Sequence, residues 1–169
     1  FYGGRGSVPT PGPTTVRYGG NTSCVDVRLA DGSIVVLDAG TGIRELGDRI
    51  MREGMPDVIH LVITHTHWDH IIGAPFFKPI WNPKGHVRIY TFSDALYARL
   101  EHPVIFDGIH FPVRYDAIPA RVERVLIQES EMRLGSAVIR RVALNHPGGS
   151  DGFRIDDDGG ASMCFFTDH

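Results

Sequence analysis

The chain has 169 residues, of which 42% are hydrophobic and 22% are charged, and its formal net charge is −3. This composition is typical of a globular domain and excludes an intrinsically disordered chain. No apolar run approaches the ~20 residues of a membrane-spanning helix, so we expect no membrane association and a cytoplasmic location. No segment concentrates lysine and arginine, which disfavours polymer nucleic acid as a partner and leaves a small anionic substrate as the expectation.

The predicted elements begin after a glycine- and proline-rich stretch, residues 3–13, whose composition by itself indicates a linker. Residues 21–30 and 33–38 form two strand-like runs joined by Asp31-Gly32, which is a strong hairpin signal. Apolar residues then recur at helical spacing over residues 43–51, and a glycine and a proline follow as stop signals. The first third of the chain therefore predicts a β-hairpin followed by one surface helix.

An apolar run at residues 58–63 predicts a buried strand, and a short helix over 69–77, a strand at 87–91 and a helix that opens at Ser93 follow it. Residues 102–120 have no clean period and are interpreted either as a lid or as a surface excursion packed by its own aromatic residues. Five further β-like runs complete the chain, at residues 122–127, 132–134, 137–144, 152–155 and 162–167. We therefore expect an α/β sandwich that forms a single domain over residues 1–169.

Four metal-binding side chains lie within the short stretch from His65 to His70, directly after the predicted strand. Buried imidazoles and carboxylates need partners, so a metal site explains this cluster better than packing does. His65 and His67 alternate in extended backbone and are predicted to hold one cation, while Asp69 and His70 are directed at a second. A chance polar loop or a structural zinc site is less favoured, because structural zinc sites are rich in closely spaced cysteines and this chain has only two, far apart.

The motif His65-Thr66-His67-Trp68-Asp69-His70 resembles the His-x-His-x-Asp-His signature of the metallo-β-lactamase superfamily. The resemblance implies a four-layer αββα fold and a metal-dependent hydrolase. His146 and Asp168, each at the end of a β-like run, resemble the next ligand and the bridging aspartate of the family. The family's last ligand, a further histidine, has no candidate here. We therefore expect a truncated fragment whose fold is incomplete at the C-terminus.

The resemblance implies two divalent metal ions, Zn or Mn with Fe also compatible. His65, His67 and His146 are expected to hold the first ion and Asp69 and His70 the second, with Asp168 between them. A water held by two cations ~3.5–4 Å apart becomes a hydroxide nucleophile near neutral pH. Asp69 is the candidate catalytic residue, because its carboxylate is placed to orient that nucleophile.

The family branch is indicated by the residue types at two of these positions and by the N-terminal block. Asp168 in place of a cysteine argues against zinc β-lactamases, and His67 in place of a glutamate argues against flavodiiron oxygen reductases. Residues 4–12 and 18–24 resemble the branch that holds the phosphoribosyl cyclic phosphodiesterases and the tRNA 3′-processing endonuclease, whose members are often dimers. No basic exosite arm is evident, which makes tRNA a doubtful substrate.

We therefore predict a dinuclear-metal phosphodiesterase, phosphoribosyl cyclic phosphodiesterase-like or tRNase Z-like, that acts on a small or cyclic phosphodiester. Two alternatives stay open. The same metal site polarises a carbonyl, which would make the protein a thioester or lactone hydrolase similar to glyoxalase II. The absent last histidine would alternatively leave a catalytically incomplete domain.

Other residues are weaker candidates. Asp38 is either the carboxylate partner of a metal-binding histidine or the N-cap of the first helix. Arg5 and Arg17 are candidate phosphate partners. The acidic run at 156–158 is interpreted as a solvated turn rather than a calcium loop, because it lacks the spacing of one. The remaining histidines are predicted to be structural or to lie at the surface: His60, His86, His102 and His110.

Overall fold

The computed structural model describes residues 1–100 and 104–169, which form two β-sheets and a set of short helices. The first sheet has five strands, in the order β1 (Val25–Arg28), β2 (Ile34–Leu37), β3 (Ile59–Val62), β4 (His86–Thr91) and β5 (Arg121–Leu126). The second sheet has four, in the order β6 (Glu131–Leu134), β7 (Ala137–Leu144), β8 (Ser150–Asp157) and β9 (Ser162–Phe165). The second sheet is antiparallel throughout, whereas β2 to β5 of the first sheet run parallel.

Parallel neighbours need crossover connections, and the helices of this protein lie in them. They are α1 (Ile43–Glu53), α2 (Trp68–Ile71) and α3 (Asp94–Arg99). Short 3-10 helices add single turns at Pro13–Thr15, Ala74–Phe76, Lys78–Trp81, Val104–Phe106 and Tyr115–Ala117. The Ser93 hydroxyl accepts a hydrogen bond of 3.1 Å from the Leu96 amide, which confirms Ser93 as the N-cap of α3.

Two hydrophobic cores lie on opposite faces of the first sheet. Alternate residues of a strand point to opposite faces, so Val36 packs with Ile43 and Leu46 of α1 while Val35 packs with Phe153 of the second sheet. Strand β2 is buried along its whole length. The layered α/β sandwich expected from the sequence is therefore confirmed, and the carboxyl ends of the parallel strands meet at one edge.

The N-terminal stretch is not a linker, so that prediction is wrong. Its backbone pairs with the segment before β1, through bridges of Gly3 with Cys24 and of Arg5 with Thr22. Glycine at position 3 is needed there, because a Cβ atom would lie 1.7 Å from the carbonyl oxygen of Thr22. Composition indicated flexibility, but close backbone pairing is the reason for glycine at position 3.

Two other expectations need adjustment. The helix expected over 69–77 is instead α2 followed by a separate 3-10 turn, since Pro75 interrupts the hydrogen bonding of a longer helix. In the irregular region the Phe106 ring contacts those of Phe111 and Tyr115, with centroids 5.8 and 6.2 Å apart, so aromatic residues pack this segment. Residues 101–103, and with them His102, lie outside the described residues. Across the part of the chain that the structure describes, no helix has the length and hydrophobicity to cross a bilayer.

Candidate metal centre

The motif His65–His70 begins where β3 ends, at the edge of the first sheet. The Thr64 amide donates a 2.9 Å hydrogen bond to Asp38 Oδ1, which fixes the chain as it leaves the strand. His67 is in extended backbone directly before α2, and the His70 amide bonds to its carbonyl oxygen. This turn places the alternate residues His65 and His67 on one side, and Asp69 and His70 on the first turn of α2.

Three imidazoles and one carboxylate converge on a first point. His67 Nδ1 lies 3.0 Å from His65 Nε2 and 3.0 Å from His146 Nε2. Asp168 Oδ2 lies 3.5 Å from His65 Nε2 and 3.4 Å from His146 Nε2. The four atoms come from three separate segments of the chain, the β3–α2 turn, the loop after β7 and the end of β9.

A second group adjoins the first through the same aspartate. His70 Nε2 lies 3.4 Å from Asp69 Oδ2 and 3.5 Å from Asp168 Oδ2. Within each group the candidate ligand atoms all lie within 4.8 Å of one another. The structure therefore brings together all six residues that the sequence predicted: His65, His67, Asp69, His70, His146 and Asp168.

These atoms fit a cation better than they fit one another. His67 Nδ1 carries at most one proton, so it cannot donate to both His65 Nε2 and His146 Nε2 at 3.0 Å. A tetrahedral ion bound at about 2.0–2.1 Å separates its ligands by about 3.3 Å. The distances of 3.0 to 3.5 Å in the first group match that spacing. Imidazole and carboxylate are donors suited to divalent transition metals.

Asp38 is the main partner of His70. Its Oδ2 atom lies 2.7 Å from His70 Nδ1 and accepts a 2.9 Å hydrogen bond from the Ser23 hydroxyl, and the side chain is fully buried. The contact leaves His70 Nε2 to face the second group. Helix α1 begins after Gly42 without a hydrogen bond from a side-chain cap, so the structure favours the histidine-partner interpretation of Asp38 over the N-cap.

The backbone of Asp38 is in the left-handed region, at φ 62°. Aspartate is one of the few side chains that adopt this conformation readily, and such residues concentrate at functional sites. Here the turn directs the carboxylate back under the site, where both the amide and the hydroxyl of Thr64 donate to Oδ1 at 2.9 Å. One carboxylate thereby orders both β3 and α2.

His65 and His70 differ in their protonation. Burial, together with the nearby His70, lowers the pKa of His65 to about 4, so its imidazole is neutral at neutral pH and able to bind a metal. Burial also lowers the pKa of His70, but the hydrogen bond that His70 donates to Asp38 and the charges of Asp38, Asp69 and Asp168 outweigh it, and the net shift is upward. Proton binding at His70 therefore competes with metal binding more strongly than at His65.

The N-terminal segment reaches the site through its backbone. The amide of Ser7 donates a 2.7 Å hydrogen bond to Asp69 Oδ2, across 62 positions of sequence. Glycines allow the close approach nearby: a Cβ at Gly40 would lie 2.3 Å from the Asp69 carbonyl, and one at Gly73 would lie 2.0 Å from the carbonyl of Gly40.

The weaker candidates lie elsewhere or have other partners. Arg5 Nε donates to Thr10 Oγ1, although Arg5 also lines a cleft that reaches His70 and Asp168. Arg17 stacks on Tyr18, with 4.9 Å from its guanidinium carbon to the ring centroid. Three of the remaining histidines contact other side chains, His60 with Tyr90, His86 with Glu123 and His110 with Asp107.

Comparison with known proteins identifies the family. The profile of the metallo-beta-lactamase superfamily matches residues 17–168, which is most of the chain. This protein belongs to the metallo-beta-lactamase superfamily. The superfamily resemblance read from the sequence is thus confirmed, and the His/Asp cluster of the chain fits the divalent metal binding that this fold implies.

The curated relatives of this superfamily member include ribonucleases. It is 30% identical over 163 residues to ribonuclease Z of Haloarcula marismortui, a match that covers 94% of this chain and 47% of the relative. It is 26% identical over 136 residues to ribonuclease Z of Kineococcus radiotolerans, covering 79% of this chain and 41% of the relative. The chain thus spans about half the length of these relatives. We expected from the sequence that polymer nucleic acid is disfavoured as a partner, and the names of these relatives do not support that expectation.

Solved structures of this superfamily agree with the fold. A diphosphatase of the PhnP family superposes with a TM-score of 0.56 at 25% identity, covering 79% of this chain and 49% of that one. Human tRNase Z, short form, gives 0.60 at 19% identity, covering 97% and 66%. The protein YhfI of Bacillus subtilis gives 0.64 at 16% identity, covering 96% and 58%. The last two likenesses concern the fold alone.

Proposed function

We propose that this protein hydrolyses phosphodiesters with two divalent metal ions bound at the candidate metal centre. The observation that carries the proposal is the position of Asp168 Oδ2, within 3.5 Å of His65 in the first group and of His70 in the second. One carboxylate oxygen that faces both groups is the arrangement expected of a bridging ligand. In this proposal His65, His67 and His146 hold the first ion, Asp69 and His70 hold the second, and zinc or manganese are the preferred metals, with iron also compatible.

Two bound cations would supply Lewis-acid charge for a phosphoryl oxygen and lower the pKa of a water molecule. The residues of the chain contribute orientation. Asp38 holds His70 by its Nδ1 atom, and the Ser7 amide holds Asp69 by Oδ2. The Asp69 carboxylate, held in this way, would accept a proton from the attacking water. Asp69 is therefore the proposed catalytic residue.

The relatives support a phosphorus centre over a carbonyl centre. Two are called ribonuclease Z and one a diphosphatase, so the names describe cleavage of phosphodiester or phosphoanhydride bonds. A small or cyclic phosphodiester is our first proposal for the substrate, in keeping with the net charge of −3. RNA is the second candidate, which the two curated relatives favour.

Metal content and substrate class test the proposal together. Protein stripped with EDTA is reloaded separately with zinc, manganese and iron, and the bound metal is counted by plasma mass spectrometry. Hydrolysis of bis-p-nitrophenyl phosphate is then compared with hydrolysis of p-nitrophenyl phosphate and of S-lactoylglutathione. Close to two ions per chain, with preferred cleavage of the diester, is the expected result. Faster cleavage of the thioester would contradict the phosphodiesterase assignment, and one ion in an active protein would contradict the dinuclear site.

A further inference from the structure

A small cavity lies beside His65, lined by different residues from the cleft at His70. Its volume is about 110 Å³, and its walls come from α3, the end of β7 and the loop that carries His146. Two arginines line it, Arg99 from α3 and Arg141 from β7, together with Ser93 and Ser150. We name it the arginine cavity.

The charge of the arginine cavity is positive. Arg141 Nε donates a 2.6 Å hydrogen bond to Asp151 Oδ1, and Arg99 donates a longer one of 3.4 Å to the carbonyl oxygen of Gly148. Each guanidinium has five N–H donors, so both keep donors for a ligand. Among the described residues that line the cavity, the two arginines face one carboxylate, Asp151, and burial raises the pKa of that group despite its contact with Arg141. At least one positive charge is left without a counter-charge among these groups.

The size of the cavity selects a small group. The cavity volume of about 110 Å³ exceeds the space that a single water molecule needs, so the cavity admits a small polar group such as a phosphate or a carboxylate. Guanidinium groups bind phosphate oxygens through paired N–H donors, which makes phosphate the better match.

The cavity also adjoins the metal centre. His65 lines the cavity, and its Nδ1 atom lies 3.3 Å from the Ser150 hydroxyl on the cavity wall. The Nε2 atom of the same ring faces His67 and Asp168. A group bound in the arginine cavity is thus separated from the metal centre by a single imidazole ring.

We propose that the arginine cavity binds a second phosphate of the substrate, adjacent to the phosphodiester that is cleaved. This inference rests on the proposed function and narrows it, because it selects substrates with two phosphates, either a nucleotide with a further phosphate or a stretch of RNA. The shared chemistry is a phosphate placed one nucleoside away from the scissile bond.

Binding of two thymidine nucleotides tests the inference without turnover. The metal-loaded protein is titrated calorimetrically with thymidine 5′-monophosphate and with thymidine 3′,5′-bisphosphate. We expect the bisphosphate to bind at least tenfold more tightly, since a charge-assisted hydrogen bond contributes about that factor. Arg99→Gln and Arg141→Gln are each expected to remove most of this preference. Arg52→Gln, which changes an exposed arginine on α1, is the matched control and retains the preference.

Four results decide the inference. Equal affinities of the two nucleotides for the wild-type protein would overturn it. A fall in affinity for both nucleotides by the same factor in Arg99→Gln, accompanied by lost metal, would overturn it in favour of a role for Arg99 in holding the His146 loop. Weaker competition by an oligoribonucleotide in Arg99→Gln would support it and assign the second phosphate to a neighbouring nucleotide of RNA. If the wild-type protein prefers the bisphosphate but cleaves no phosphodiester, the proposed function fails and the phosphate site stands.

Discussion

Two clusters of this protein combine histidine with carboxylate, and they differ in the number of protons available. In the edge cluster, formed by His86, Arg88, Arg121 and Glu123 on the neighbouring strands β4 and β5, each contact has a donor and an acceptor. Glu123 Oε2 accepts 2.7 Å and 3.0 Å hydrogen bonds from Arg88 and His86, and Arg121 donates to its other oxygen. These bonds lower the pKa of Glu123 to about 2.

The metal centre has the opposite balance. Three imidazole nitrogens and an aspartate oxygen face one another, and no arginine or lysine contact with them is described. A bound cation would supply the positive charge that such a set lacks. The two clusters therefore differ in how many N–H donors face their acceptor atoms, although both contain histidine.

We expect the largest effect from replacing His67, the candidate ligand that both His65 and His146 face. His67→Ala should lower the bound metal and reduce phosphodiester hydrolysis to background, because His67 Nδ1 lies 3.0 Å from both His65 and His146. The measurement is metal content per chain together with the rate on bis-p-nitrophenyl phosphate. His86→Ala in the edge cluster is the matched control and should leave both values unchanged. Unchanged metal content in His67→Ala would refute its assignment as a ligand.

The next prediction replaces one carboxylate in each cluster, Asp168 in the metal centre and Glu123 in the edge cluster. Asp168→Ala should remove at least one ion per chain and most of the activity, while the thermal unfolding midpoint of the metal-free protein stays close to wild type, since the side chain is about one-third exposed. Glu123→Ala should leave metal binding intact. A fully active Asp168→Ala protein would eliminate the bridging role.

The partner of His70 is expected to have an intermediate effect. Asp38→Asn keeps the size of the side chain and tolerates the left-handed backbone, but it replaces the carboxylate that faces His70 Nδ1. Loss of such a partner typically weakens metal affinity by about 10- to 100-fold. Titration of metal-free protein with zinc against a competing chelator would measure this. Wild-type affinity in Asp38→Asn would show that His70 is held by its packing alone.

The smallest effect is a pH dependence of the edge cluster. The folded-state pKa of Glu123, about 2, lies below the ordinary value of 4.5, so the ionised carboxylate stabilises the folded protein above pH 4.5 and this contribution is lost as the pH falls to about 2. Thermal unfolding of wild type and Glu123→Gln should therefore differ by a few degrees or less at pH 7, and converge near pH 2. A difference that persists at pH 2 would contradict this assignment.

The fold was predicted well where the pattern is local. The 58–63 run is strand β3, and the helical spacing over 43–51 lies within α1, because apolar periodicity records which face of an element is buried. The N-terminal segment was misjudged since glycine and proline give the same composition to a linker and to a backbone packed closely against its neighbours. Gly3 and Gly40 are needed for contacts with residues far along the chain, which no local pattern reveals.

For the metal centre, too, local sequence patterns predicted one part and contacts between distant segments decided the other. The dense motif from His65 to His70 by itself predicted a metal site, because few other arrangements satisfy so many imidazoles and carboxylates at the end of a buried strand. The superfamily resemblance added His146 and Asp168 to the predicted site. Only the tertiary structure decided which atoms converge: it chose the contact of Asp38 with His70 and brought the Ser7 amide to Asp69. The physical reason is that ligand identity is a property of side chains, whereas ligand geometry depends on how sheets that are distant in sequence meet at one edge.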